Sequence, residues 1–153
     1  MQSNAFCAVA ALLFVVSGGA GWAWILKYVG TAAVIVTMVT VFVFLAPTSE
    51  GGLWPLLKDF NFFMHFLTPV LAIVSFSAFE KRGMDFGTAM LGVLPVLFYG
   101  IWYLYKAVFD QREEKKWDDF YGFNRGGKWK IAFAAMLVGA FLISLGLWAL
   151  QNL

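Results

Sequence analysis

A single histidine occurs in this chain, His65, inside the apolar stretch Asp59 to Ser77, DFNFFMHFLTPVLAIVSFS. Asn61, His65, Thr68, Ala72 and Ser75 recur there at alternating steps of four and three, the spacing of one helix face. A neutral imidazole can take a proton from a hydroxyl as a general base, and side-chain amides can orient a carbonyl. The hydroxyls within plausible reach are Thr68, one turn away, Thr37 and Thr40 on the preceding apolar segment, and Ser3 near the start; Asn61 and Asn4 supply amides. His65 is therefore the candidate catalytic residue, with Asn61, Thr68, Asn4 and Thr37 as candidate substrate-binding residues. The competing reading makes His65 a cross-link between helices, Thr68 and Thr37 packing residues that bond their own backbone, and Ser3 and Asn4 a helix cap.

Metal and haem chemistry find no support in the residue types. One imidazole is not a metal site, and Asp and Glu stand only at the ends of the apolar stretch. A lone histidine cannot supply a bis-histidine pair, and Cys7, the single cysteine, rules out both a Cys-x-x-Cys-His attachment motif and an internal disulfide. No cofactor is expected.

These residues sit in a very apolar chain. Of 153 residues 61% are hydrophobic and 19% aromatic, with only 13% charged, and the mean hydropathy is +0.77. Such values belong to a membrane protein. The charges cluster between apolar runs, which is the pattern of a polytopic helical protein, and a net charge of +2 gives no reason to expect a nucleic acid partner. Membrane lipids are the expected partners, and the many aromatic side chains would line a pocket for an acyl chain or equally face lipid.

The fold expected is all-α, one transmembrane helical domain over 1–153 with about five helices at roughly 1–16, 24–46, 59–78, 86–109 and 129–150. No basic residue precedes the first apolar run, so it reads as a membrane helix and not as a signal peptide. Trp22, Trp24, Lys27 and Tyr28 form the aromatic and basic mixture of a membrane interface. Asp59 and Asn61 are placed to cap the first turn of the histidine helix, and Pro69 removes a hydrogen bond and loosens the turn around His65. The segment 110–130 holds eleven charged residues and reads as a solvated loop. Gly139 and Gly146 are expected at a close helix contact. Lys58, Lys106, Arg112, Lys115, Lys116, Arg125, Lys128 and Lys130 fall on one side and Lys27, Lys81 and Arg82 on the other, which places the first group in the cytoplasm.

The runs LKYVGTAAVIVTMVTVFVFLAP, FFMHFLTPVLAIVSFSAFE and DDFYGF, together with the opening QSN, resemble small bacterial relatives of the androgen-induced and androgen-dependent TFPI-regulating family over most of the chain. That resemblance implies a six-helix intramembrane hydrolase in which a threonine and a histidine from different helices act on lipid-type carboxylic esters, fatty-acid esters of hydroxy fatty acids in the eukaryotic members. His65 matches the family's histidine and Pro69 the proline four residues later. Ser3 and Asn4 resemble a polar pair that follows the nucleophilic threonine, so the threonine is expected just upstream of Met1, and this chain is expected to lack it along with the first helix. A non-catalytic lipid-binding or assembly protein with a structural His65 is the alternative.

Overall fold

In the computed structural model, which describes every residue except Met1, Gln111, Glu113, Lys115 and Phe120, the chain forms five helices. They are α1 (Gln2–Val16), α2 (Gly21–Leu45), α3 (Phe60–Phe79), α4 (Phe86–Phe109) and α5 (Trp129–Asn152). No strand occurs among the described residues. The last four helices are long and apolar enough to cross a membrane, and the chain is accordingly an integral membrane protein. At 15 residues α1 is shorter, reaching about 22 Å against a hydrocarbon core of about 30 Å.

Successive helices run antiparallel, as the contacts between their ends show: Trp24 Nε1 donates to Glu80 O, and Arg82 N donates to Gln151 Oε1. One end of the bundle therefore gathers the end of α1, the start of α2, the 80–85 turn and the end of α5. The other end gathers the 46–59 and 110–128 connections. Among these helices α2 is central, packing against all four others. Its small residues allow this. A Cβ on Gly30 would stand 3.0 Å from the Cα of Cys7, so α1 and α2 approach to backbone contact there.

The main core joins Trp24, Tyr28, Ala32 and Ile35 of α2 to Phe76, Met84, Ala89 and Leu147. Outside it, large apolar side chains such as Phe63, Phe98, Ile101 and Val138 are more than half exposed. In water such a surface would aggregate; against acyl chains it is the normal exterior.

Several expectations are corrected. Asp59 does not cap α3: its side chain makes no capping bond, and its backbone lies in the left-handed region at φ 54°. The first amides of α3 use backbone carbonyls instead, Asn61 N donating to Lys58 O and Phe62 N to Asp59 O. Gly139 and Gly146 have open space where a Cβ would stand, so neither marks a close contact. That role falls to Gly92, over which Tyr28 Oη and Ser144 Oγ both lie, and to Gly100, which Phe133 covers. Lys27, Trp24 and Tyr28 are buried inside the bundle, and Trp22 is exposed. Finally, 110–128 is not simply solvated, since Phe123 is buried with Tyr103, Leu104 and Ala107.

Three spans end in a wide π turn, at Val41–Leu45, Ser75–Phe79 and Tyr105–Phe109, and α3 contains another at Phe63–Leu67. The last is what Pro69 produces. Proline offers no N–H to the carbonyl four residues back, that of His65, and the turn before it widens, with Thr68 N donating to Phe63 O.

Candidate functional site

His65 is the sixth residue of α3, about 7 Å from its start, and so lies toward one end of the span. The 46–59 connection folds over it. The ring nitrogen Nδ1 is 2.9 Å from the carbonyl oxygen of Leu56. A carbonyl only accepts, so Nδ1 carries the hydrogen of that bond, and in the neutral ring Nε2 is left with the lone pair. Among the described residues no hydroxyl bonds to this side chain. Its helix is held to the end of α2 by aromatic contact, with the Phe66 ring 6.4 Å from that of Phe42.

The other sequence-selected residues gather near the seam of α1, α2 and α3. Cys7, Val34 and Ala72 pack as one layer across these three helices. One turn from that layer toward the His65 end stand Ser3 and Asn4 on α1, Thr37 on α2 and Thr68 on α3. Asn61 lies one turn beyond His65, half-buried like it.

Within this group Thr37 Oγ1 donates to Ala33 O at 3.1 Å and lies 2.8 Å from Ser3 Oγ. Its one hydrogen is used by the carbonyl, so Ser3 donates and Thr37 accepts between them. Thr37 thus joins α1 to α2 and is not poised as a nucleophile. Asn4 differs. Both polar atoms of its amide are buried without a hydrogen-bond partner among the described residues, a state that costs free energy unless a ligand or water pairs with it.

A second polar cluster was not anticipated. Lys27 Nζ forms an ion pair with Glu80 Oε1 and donates to Ser75 Oγ at 3.1 Å, and Ser75 Oγ donates to the same Glu80 oxygen at 2.6 Å. Trp24 Nε1 donates to the Glu80 backbone carbonyl at 2.9 Å. The Phe14 ring lies between two cations, 5.1 Å from Lys27 and 5.3 Å from Arg82. An ammonium held by a carboxylate has no lone pair with which to activate Ser75, so the cluster ties α1, α2 and α3 together and is not a serine–lysine dyad.

Sequence spacing concealed it. In an α-helix Ser75 and Glu80 would point about 140° apart, whereas the π turn at Ser75–Phe79 brings residues five apart to the same side. The visible signal was Ser75 on the polar stripe with a lysine in the helix before it.

Among the described residues no group of three or more His, Cys, Asp or Glu is arranged to hold a metal ion. No family model, curated protein or solved structure matches the chain.

Proposed function

We propose that this protein acts on carboxylic esters of lipids within the bilayer, with His65 as general base, and that it resides in a bacterial cytoplasmic membrane. The observation that carries the reading is the Nδ1–H to Leu56 carbonyl bond, which fixes the ring and leaves Nε2 basic. The family resemblance implies a threonine hydroxyl as the remaining partner. Its oxygen attacks the ester carbonyl while Nε2 takes the proton. The proton then passes to the departing alkoxide as the carbon–oxygen bond breaks, leaving an acyl-threonine. Water adds to that intermediate, again through Nε2, and releases the carboxylic acid. The buried amide of Asn4 would meet the polar end of the substrate, with Thr68 at its level and Asn61 further along, beyond His65.

The test compares the protein with its His65→Ala variant on long-chain acyl esters. A loss of turnover of about 100-fold or more is expected for a general base; equal rates would sink the proposal.

One observation favours a second reading, a lipid-binding or assembly protein without chemistry. The bond that orients His65 also ties the 46–59 connection to α3. On that reading His65→Ala lowers the unfolding temperature in detergent, and an acyl-fluorophosphonate probe labels nothing.

A further inference from the structure

The connection between α4 and α5 folds into a lobe that turns Phe123 and Tyr121 inward. Phe123 is buried against Tyr103, Leu104 and Ala107, and the rings of Phe109 and Trp129 meet edge to face at 5.1 Å. Two of the lobe's acids are spent inside it. Asp110 is held by Lys106 at 3.2 Å and by Arg112 at 2.9 and 3.1 Å. Asp119 accepts from Phe123 N at 2.8 Å, Asn124 N at 2.7 Å and Tyr103 Oη at 3.0 Å. These bonds hold the turn and leave its outer surface to other charges.

That surface is basic. Lys116 and Arg125 line one open hollow with Trp117, Asn124 and the two aspartates 118 and 119, and Lys128 and Lys130 stand exposed beside it. Asp118 is the exposed acid in the hollow; the carboxylate of Asp119 is already met by backbone N–H groups. Glu114 is the other exposed acid described on this connection.

We infer that this lobe binds the head group of an anionic phospholipid. A phosphate is matched by two cations converging on one hollow. The hollow lies where α4 ends and α5 begins, so a lipid can place its phosphate there while its chains run along the apolar surface of the spans. Half-exposed Trp117 stands at the same boundary, a position that indole side chains favour. Clustered lysine and arginine just beyond a membrane helix attract anionic lipid by about fivefold per residue.

The experiment uses the full chain purified in zwitterionic detergent, with retention of added phosphatidylglycerol and phosphatidylcholine measured by native mass spectrometry. Phosphatidylglycerol is expected to be retained at least about tenfold more, and Lys116→Gln with Arg125→Gln should remove most of that preference. Arg125→Lys should keep it, as should Lys81→Gln at the opposite end. Raising the salt should weaken it. Equal retention of the two lipids overturns the inference, as does a preference that survives loss of both cations in a variant that still elutes as a folded species. Displacement of the lipid by inorganic phosphate at equal concentration also overturns it, because the site would then take a free anion.

Discussion

Lys27 and Glu80, 53 positions apart, form an ion pair inside the bundle, and Ser75 hydrogen-bonds to both. Each charged side chain is only 9% exposed, so neither has water to fall back on. Removing one partner leaves a buried charge alone, at a cost of about 3–5 kcal/mol. Glu80→Ala and Lys27→Met should each lower the unfolding temperature in detergent markedly. The double change Lys27→Met with Glu80→Leu should recover much of the loss. Additive losses in the double variant would show that the two side chains act separately.

Gly92 lies beneath the hydroxyls of Tyr28 and Ser144, and a methyl there would collide with both. Tyr28 Oη is also committed to the carbonyl of Ala89 at 2.6 Å, so it cannot retreat without losing that bond. Gly92→Ala should cost about 1–3 kcal/mol as overpacking. Gly139→Ala and Gly146→Ala, which meet open space, should be close to neutral or slightly stabilising. Thermal unfolding of the three variants side by side checks the contrast.

Asp119 organises the lobe by accepting two backbone amides and the Tyr103 hydroxyl. Asp119→Ala leaves those donors without an acceptor, at about 1–3 kcal/mol for each one that stays buried. Amide exchange over 121–125 should quicken by about tenfold or more, while exchange at the Lys27 end of the bundle stays as it was. Unchanged exchange at Phe123 would contradict this account of the turn.

Asp110 predicts an acid limb in stability. The hydrogen bonds from Arg112, with help from Lys106, hold its carboxyl well below the usual carboxylate range. A carboxyl with a lowered folded value stabilises the fold fully above its unfolded value, about 3.9, and loses that contribution as the pH falls toward the folded value. Unfolding of the wild-type chain between pH 7 and pH 4 should therefore show no change from this group, with a decline below pH 4. In Asp110→Asn that part of the decline should be missing.

Helix positions were the most legible feature of the sequence. The edges of all five agree with the residue pattern to within about three positions, because in lipid an apolar run of the right length has few options besides helix. The polar stripe of α3 also faces protein where its neighbours can be checked: Ala72 packs on Cys7 and Val34, and Ser75 joins Lys27 and Glu80. Less legible was anything decided between helices. Lys27 and Trp24 have the composition of an interface pair, yet their partner lies beyond the end of α3, where one-dimensional spacing does not reach. Gly139 and Gly92 are equally glycine in a helix; only the neighbour that leans over Gly92 separates them. His65 was found as the sole imidazole, but its bond to a main-chain carbonyl left no side-chain signal.

The π turns carry one more consequence. Each holds its geometry by the number of residues it contains more than by their kinds, so the length of α3 is itself part of the design. Deleting one residue from 76–79 would swing Glu80 by about 100° around the axis and part it from Lys27. Gene variants that lose or gain a single codon there should harm the protein more than most codon replacements, and the tally of positions from Ser75 to Glu80 becomes a trait to look for in any sequence proposed as kin.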